Sequence, residues 1–208
     1  PNEEIEDFLS AVEQLHPTLR RNIGGIQEVQ GLSELAEAIV TDNVMAVSDA
    51  SLGSRNRAAH AYIIESRCEK FKIIGVAPVD CDPDDLESTR AELWGQVAIH
   101  TVINVLVDMS NIRSGSVDIY GDNKDSLVLQ KIRCDKLAYP RFFRPNMDLK
   151  MEIVHQRTKT PTKVQLNLAH IKGHQDRNAN FSYDTATQST KRNIDMDELS
   201  RMFLQTDQ

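Results

Sequence analysis

Four acidic residues stand out because each lies at the end of a predicted strand or on a predicted helix. They are Asp49 in VMAVSDAS, Glu92 in STRAELWG, Asp122 in VDIYGDNKDSL and Asp197 in NIDMDELS. Carboxylates that lie close together repel and raise one another's pKa values, and a bound divalent cation usually offsets this repulsion. Oxygen ligands of this kind favour Mg²⁺ or Mn²⁺ over zinc. Two such ions about 4 Å apart activate a water and stabilise the leaving oxygen in phosphodiester hydrolysis.

The elements that would carry these acids alternate between strand and helix patterns. Alternating, β-branched segments predict strands over 44–49, 58–65, 71–79, 116–120 and 164–171. Periodic apolar residues predict helices over 88–109, 122–134, 147–157 and 184–204, with Ser88 as an N-cap. Three antiparallel strands followed by alternating helices and strands predict an α/β fold, in which helices flank a mixed five-stranded sheet.

This arrangement would bring two of the acids together. If the strands over 44–49 and 116–120 are parallel neighbours, Asp49 and Asp122 emerge at the same edge of the sheet. Open α/β sheets place their sites at such carboxyl ends. Any one of the 31 acidic residues is ordinarily a surface charge, so the prediction depends on their order and context.

Residues 1–42 are predicted to form a helical N-terminal extension that precedes a domain over 43–208. Apolar residues at helical spacing predict a helix over 3–15, and His16-Pro17 and Gly24-Gly25 interrupt the pattern. A shorter helix follows, with Ser33 as a plausible cap. The extension carries no residues that indicate chemistry.

Composition narrows the class of protein. The net charge of −7 counts against a tight duplex-binding module, so any nucleic-acid contact is expected to be local or short-lived. No apolar run is long enough to span a bilayer, and no signal segment is present, although the chain begins at Pro1 and a fragment stays possible. Cys68, Cys81 and Cys134 have no disulfide or zinc spacing. An intracellular protein of the cytoplasm or nucleus, without membrane contact, is expected.

The order of these motifs resembles that of the ribonuclease H family over about residues 43–205. SDAS, STRAELWG and YGDNKDSL are followed by the loop HIKGHQD and the helix RNIDMDELS. The resemblance implies the ribonuclease H-like fold and cleavage of the RNA strand of an RNA–DNA hybrid with two Mg²⁺ ions, Mn²⁺ being possible. The implied metal ligands and catalytic acids are Asp49, Glu92, Asp122 and Asp197.

The resemblance also implies roles for four further residues. His174 takes the proton-transfer position, for which a pKa near neutrality is suitable, although a loop histidine is more often a surface residue. The implied substrate contacts are Ser51, Asn123 and Lys172. Asn123 is alternatively a helix cap, and Lys172 alternatively a solvated charge.

A narrower resemblance points to the ribonuclease H-like domains of reverse transcriptases in retrotransposons and similar mobile elements. This narrower resemblance rests on the N-terminal extension, on the segments STRAELWG and GDNKDSL, and on the HIKGHQD loop. It implies a reverse-transcriptase domain in the same polyprotein. A monomer is expected.

The sequence departs from the family pattern at several positions. Ala50 stands where glycine is common, and Ile171 where an aromatic residue often precedes the lysine. Asp195 and Asp197 lie on different sides of one helix, and the sequence pattern NxxxDEL favours Asp197 as the fourth ligand. The sequence lacks a helix rich in lysine and arginine of the kind that some family members use to bind the hybrid. The nearest substitute combines cationic and aromatic side chains, and the aromatic rings could either stack on bases or pack beneath a long loop. These residues are Arg133, Lys136, Tyr139, Arg141, Phe142, Phe143 and Arg144.

Two alternatives to an active hybrid nuclease stay open. A catalytically inactive module of the same fold would bind nucleic acid or connect domains, and the acidic net charge and Ala50 are compatible with it. A related transposase, integrase or exonuclease would share the acidic edge of the sheet. The terminal NIDMDEL helix and the loop before it speak against that second alternative.

Overall fold

The computed structural model describes residues 3–131 and 145–206. Its strands are β1 (Gly25–Gln30), β2 (Val44–Leu52), β3 (Ala58–Ser66), β4 (Lys72–Pro78), β5 (Ser114–Gly121) and β6 (Lys163–His170). The α-helices of the described residues are α1 (Glu3–Glu13), α2 (Pro17–Ile23), α3 (Leu32–Val40), α4 (Ser88–Met109), α5 (Lys124–Lys131), α6 (Met147–Lys159) and α7 (Gln188–Thr206). Short 3-10 helices cover Pro83–Asp85 and Gln175–Arg177.

The strands form one mixed sheet in the order β1-β4-β3-β2-β5-β6. Strands β1, β4, β3 and β2 are antiparallel to their neighbours, and β5 and β6 continue the sheet in parallel with β2. The predicted α/β class, with three antiparallel strands followed by two parallel strands, is thereby confirmed. The predicted number of five strands is wrong, because β1 adds a sixth at the edge next to β4.

Strand β1 lies in the segment that was expected to be helical. The sequence GIQEVQ follows Gly24, whose φ of 69° belongs to the left-handed region that favours glycine. A Cβ at Gly24 would lie 2.2 Å from the carbonyl oxygen of Val76 on β4, so this close approach requires glycine. The Gly24-Gly25 pair is therefore an entry into the sheet, where sequence reasoning took it for a break between helices.

Helix boundaries differ from the predicted ones for local reasons. Helix α2 follows His16 directly, because proline is tolerated in the first turn of a helix and the His16 Nδ1 accepts a hydrogen bond from the Thr18 amide. The residue preceding α3 is Gly31 where Ser33 was expected, and the one preceding α4 is Glu87, with Ser88 as the first helical residue. Helix α7 begins later than predicted, after Thr187, whose Oγ1 accepts from the Thr190 amide.

The sheet separates two layers of helix. Along β2, Val44 and Ala46 pack into the apolar cluster shared with α1, α3 and α4, whereas Met45 and Val47 pack with Met196 of α7 on the opposite face. This alternation is the period of two that a strand imposes on its side chains. On its far side α4 packs against α6, so this helix buries apolar residues on two sides.

The parallel pairing of β2 with β5 determines where Asp49 and Asp122 lie relative to each other. Met45 is opposite Asp118 and Val47 is opposite Tyr120. Two residues further along each strand direction, Asp49 and Asp122 therefore lie next to each other on the same face. Helix α4 crosses this edge with its N-terminal turns. No helix of the described residues has the length and apolar character needed to cross a membrane.

Candidate metal centre

Three carboxylates from three different elements converge at the edge where β2 and β5 end. Asp49 of β2, Glu92 on the second turn of α4 and Asp122 after β5 each offer an oxygen, and these oxygens all lie within 4.8 Å of one another. Asp49 and Glu92 are buried, and Asp122 is half-buried. Their convergence agrees with the sequence-based expectation that Asp49 and Asp122 share an edge of the sheet. Such a set of oxygen donors suits a hard divalent cation.

The backbone of β2 orients two of the three carboxylates. The Ala50 amide lies 2.8 Å from Asp49 Oδ1 and 3.0 Å from Glu92 Oε1 and donates to both. Ala50 is paired with His60 in the β2–β3 ladder and has no positive φ, so its alanine fits where the family has glycine. This departure from the family pattern does not disturb the strand.

Close contacts between α4 and β2 allow Glu92 to reach the cluster. A Cβ at Gly95 would lie 3.0 Å from the Ser48 side chain, so the absence of a side chain lets the helix approach the strand. One turn further, Gln96 Nε2 donates to Ser48 Oγ at 2.9 Å and to the Tyr120 carbonyl at 3.4 Å. Helix α4 is thereby bonded to both strands that carry the aspartates.

Burial and mutual repulsion shift the protonation of this cluster. Burial, followed by the charge of Asp122, raises the pKa of Asp49 to about 7. Burial and the neighbouring Asp49 raise the pKa of Glu92 well above its ordinary value. Burial also raises the pKa of Asp122, although His174 and the Asn193 amide act to lower it. A cation that neutralises these carboxylates would offset the cost of ionising them.

Two acids of α7 were alternatives for a fourth ligand, and they have different surroundings. Asp197 faces the cluster: its Oδ1 lies 3.5 Å from Ser51 Oγ, and its charge contributes to the raised pKa values of Asp49 and Asp122. Asp195 accepts hydrogen bonds from the Tyr183 hydroxyl at 2.8 and 2.9 Å and pairs with Arg192 at 2.9 Å. Asp197 lies outside the set of three within 4.8 Å, so its role as a ligand stays a prediction.

The loop between β6 and α7 lies against Asp122. A Cβ at Gly173 would come within 2.2 Å of Asp122 Oδ2, so a side chain at this position would displace the Asp122 carboxylate. The next residue, His174, is exposed and has a left-handed φ of 51°, a conformation that costs a non-glycine residue energy. The loop geometry thus keeps an exposed imidazole close enough to Asp122 to influence its pKa.

The three predicted substrate contacts differ in their observed partners. Ser51 is buried, and its Oγ lies 2.7 Å from Ser200 Oγ, beside Asp197. Asn123 Oδ1 accepts from the Ser126 amide at 2.9 Å, which is the helix-capping contact that sequence reasoning left open. Lys172 is exposed, and its carbonyl accepts from Gln175 Nε2.

One residue beside the cluster was missed by sequence reasoning. Asn193 is 2% exposed, and its side-chain amide acts to lower the pKa of Asp122. A signal for it was available, because Asn193 and Asp197 are four residues apart and share a face of α7.

The predicted cationic and aromatic substitute for a hybrid-binding helix lies outside the described residues. It comprises Arg133, Lys136, Tyr139, Arg141, Phe142, Phe143 and Arg144. Cys134 and the last residues of the helix predicted over 122–134 also lie outside that part of the chain.

No protein-family model and no curated protein sequence matches the chain. Solved structures that are similar to it include a ribonuclease H1 isolated from compost by a metagenomic approach, with 14% identity, a TM-score of 0.47 and coverage of 77% of this chain and 94% of that one. Another is ribonuclease H1 from the archaeon Halobacterium salinarum, with 13% identity, a TM-score of 0.40 and coverage of 73% and 97%.

A third similar structure is the foamy viral protease–reverse transcriptase in complex with an RNA/DNA hybrid, with 12% identity and a TM-score of 0.49. It covers 74% of this chain and 20% of the viral protein, so the chain spans about a fifth of that protein's length. The first two of these neighbours bear the family name that the sequence motifs suggest. Similarity at this level concerns the fold, and the chemistry is argued from the residues of the site.

Proposed function

We propose that this protein is a divalent-cation-dependent endonuclease that hydrolyses the RNA strand of RNA–DNA hybrids. The observation that carries the proposal is the convergence of Asp49, Glu92 and Asp122, whose oxygens lie within 4.8 Å of one another. Three separate elements bring these carboxylates together at a cost in repulsion, and a site for cations explains that cost. The RNA–DNA hybrid as substrate rests on the resemblance of the motifs to ribonuclease H.

The residues present fit the cations that the proposal requires. The proposed ligands are Asp49, Glu92, Asp122 and Asp197, and all four offer carboxylate oxygens. When bound, two Mg²⁺ or Mn²⁺ ions supply an activated water and stabilise the leaving oxygen of the phosphodiester. The raised pKa values of Asp49 and Glu92 support this assignment, because burial and then the neighbouring carboxylates disfavour the ionised forms, and a bound cation would favour them.

The chain's own residues would orient the reacting groups and move a proton. The Ala50 amide holds Asp49 and Glu92 in one orientation, and Gly173 lets its loop close over Asp122. In this proposal His174, exposed in the loop that contacts Asp122, exchanges a proton with the leaving group, since an imidazole can both donate and accept a proton.

The wider setting is part of the same proposal. We propose that the domain acts within a reverse-transcriptase polyprotein of a mobile element, as a monomer. This setting is supported by the resemblance of the segments STRAELWG, GDNKDSL and HIKGHQD to mobile-element sequences.

The proposal is tested by cleavage of a hybrid labelled on its RNA strand, with Mg²⁺ present. We expect Asp122→Asn to abolish cleavage while leaving the thermal unfolding midpoint close to that of the wild type. Asp125→Asn is the matched control, because Asp125 is exposed on α5 three residues away. Loss of cleavage in both variants, or in neither, would contradict the proposed role of Asp122.

The same assay separates the two acids of α7. We expect Asp197→Asn to lower the rate by at least about tenfold, because Asp197 faces the cluster, and Asp195→Asn to change it by less than about twofold. A folded wild-type protein that binds the hybrid but does not cut it in Mg²⁺ or Mn²⁺ would favour the inactive binding module. Cleavage of the DNA strand or of duplex DNA would point instead to a different nuclease class.

A further inference from the structure

A cavity of about 280 Å³ lies next to the metal centre, between the β2–β3 turn and the C-terminal half of α7. We refer to it as the turn pocket. Its lining residues are Ser51, Leu52, Gly53, Ser54, Arg57, Arg201, Leu204 and Gln205. The volume is sufficient for a phosphate group together with part of a sugar.

The turn pocket and the proposed metal centre share a wall. Ser51 lines the pocket, and its Oγ lies 3.5 Å from Asp197 Oδ1 and 2.7 Å from Ser200 Oγ. Arg201, on the other side of the pocket, pairs with Asp197 Oδ2 at 3.2 Å. A group bound in the pocket therefore lies directly beside the Asp197 side of the carboxylate cluster.

The charge of the pocket differs from that of its surroundings. Two arginines and two serines line it, and none of its lining residues is acidic. The four other cavities described for this protein each include at least one carboxylate. In a chain with a net charge of −7, both charged residues that line this pocket are arginines, one of which is paired with Asp197, and the pocket lies beside the candidate metal centre.

The donors of the pocket suit a phosphodiester. Arg201 is 56% exposed and uses one nitrogen on Asp197, so other guanidinium N–H groups can donate to a second anion. Arginine binds phosphate through a planar fork, and serine hydroxyls add neutral donors. Leu52 and Leu204 supply an apolar wall against which a sugar can pack.

We propose that the turn pocket binds a backbone phosphate of the nucleic acid near the bond that is cut. This inference rests on the proposed function for the identity of the nucleic acid. It also accounts for how an acidic protein holds a polyanion: a localised contact positions the strand, as phosphate contacts commonly do.

The test measures binding of a hybrid by the catalytically silent Asp122→Asn protein, so that cleavage cannot interfere. In that background we expect Arg57→Gln to weaken binding about five- to tenfold, and to reduce the slope of log Kd against log salt by about one. Arg55→Gln is the matched control: Arg55 lies in the same turn, is exposed and does not line the pocket. The control should change Kd by less than about twofold. Equal effects of the two variants would overturn the proposal.

A second measurement identifies the phosphate. Hybrids that carry one neutral methylphosphonate, moved along each strand in turn, are bound by the Asp122→Asn protein with and without Arg57→Gln. At one position near the cleavage site we expect the neutral linkage to weaken binding only while Arg57 is present, because both changes remove the same contact. If neutral linkages and Arg57→Gln have independent effects at every position, the pocket does not bind a phosphate.

The outcomes for the pocket and for the proposed function can be distinguished. A coupled phosphate contact in a protein whose wild type never cuts a hybrid would retain the pocket and refute the nuclease. Hybrid cleavage by the wild type without such a contact would retain the nuclease and refute the pocket. Thermal unfolding of each variant tests whether the fold is unchanged.

Discussion

At Asp49, the burial that builds the candidate centre acts against folding. Its pKa is raised from 3.8 to about 7, mainly by burial and then by the charge of Asp122. A carboxyl group whose folded pKa is raised binds its proton more tightly in the folded state than in the unfolded state. Without a cation, this group therefore costs stability as the pH rises from about 4 to about 7, and the full cost is present above that range.

Asp49→Asn removes this cost, so we expect it to stabilise the metal-free protein. The free energy of unfolding at a pH above 7 should rise by about 1–3 kcal/mol, and the gain should disappear at about pH 3 and below, where Asp49 is protonated in both states. Urea denaturation in the presence of EDTA measures it. Mg²⁺ should stabilise the wild type and leave the variant nearly unchanged, since only the wild type retains the proposed ligand.

The control for this prediction is Asp125→Asn, which changes the net charge equally at an exposed position. It should alter stability by less than about 0.5 kcal/mol. If Asp49→Asn instead destabilised the metal-free protein at every pH, the conclusion that ionised Asp49 lowers the stability of the metal-free fold would be wrong.

At the same scale, the sequence predicted that some residues of the candidate site lie together and gave no distinctive signal for others. Asp49 and Asp122 were predictable, because they follow strand patterns and parallel strands end at one edge. The capping contact of Asn123 and the fit of Ala50 depend on hydrogen bonds and φ values, which no residue type reveals alone. Asn193 was missed because an asparagine inside a helix has no distinctive spacing.

At the scale of elements, a buried ionic network fastens α7 to the sheet. Glu65 of β3 is fully buried, accepts from Arg192 Nε at 2.8 Å and from Gln188 Nε2 at 2.7 Å, and lies 3.6 Å from Lys72 Nζ. Arg192 also pairs with Asp195. This network lies at the N-terminal end of the helix that carries Asn193 and Asp197, so it sets where those side chains meet the cluster.

Breaking the network from one side should be more harmful than replacing both partners. Arg192→Met leaves Glu65 buried with only Lys72 as a cationic partner among the described residues, and we expect a loss of about 3–5 kcal/mol in unfolding free energy. The double variant Arg192→Met with Glu65→Leu removes the buried charge, and it should recover at least about half of that loss. Urea denaturation of the two single variants and the double variant measures the coupling.

A matched surface pair tests whether the effect is specific. Arg20 and Glu13 pair at 3.1 Å in a more exposed setting, so Arg20→Met should cost less than about 1 kcal/mol. Equal losses in Arg20→Met and Arg192→Met, or a double variant less stable than either single variant, would show that the Glu65 network does not dock α7.

Sequence patterns predicted elements better than they predicted boundaries or edges. Helix α4 was foreseeable because its apolar stripe is long and is packed on both sides. Strand β1 was not, because its six residues are mixed in polarity and become a strand only through pairing with β4. The start of α7 was misplaced because turn contacts involving Tyr183 and Thr187 precede it.

At the scale of the whole molecule, the N-terminal extension and the sheet share one apolar core. Phe8, Ile23 and Ile39 are fully buried in the cluster that also contains residues of β2 and α4. Polar contacts cross the same boundary. The Tyr62 hydroxyl donates to the Ile23 carbonyl at 2.9 Å, and Asn22 bridges His60 Nε2 at 2.8 Å and the Trp94 carbonyl at 2.9 Å.

These contacts also reach residues next to the candidate metal centre. His60 pairs with Ala50 across the β2–β3 ladder, and Trp94 lies two residues after Glu92 on α4. Since Asn22 Nδ2 donates to the Trp94 carbonyl, its Oδ1 is the acceptor for a proton on His60 Nε2. Burial lowers the pKa of His60 to about 4, so this histidine is neutral at physiological pH and the bridge is maintained.

We therefore propose that residues 1–42 are part of the folding unit, and we expect a shortened chain of residues 43–208 to be strongly destabilised. Removing the extension exposes the apolar face around Ile64 and Ile73, and deprives the buried Tyr62 hydroxyl of its acceptor. Each large side chain whose burial is lost costs about 1.5–3 kcal/mol, so the thermal midpoint should fall by more than about 10 °C. Thermal unfolding by circular dichroism, with and without Mg²⁺, measures both the fold and the state of the centre.

A separate polypeptide of residues 1–42 supplies the control. Added in excess to the shortened chain, it should restore part of the midpoint by mass action, because it binds the folded form alone. The variant Asn22→Ala in the full chain should lower the midpoint by a smaller amount, since it removes one bridge and leaves the apolar contacts in place. A shortened chain that unfolds at the wild-type midpoint and still gains stability from Mg²⁺ would show instead that the extension is a separable appendage of a self-sufficient domain over 43–208.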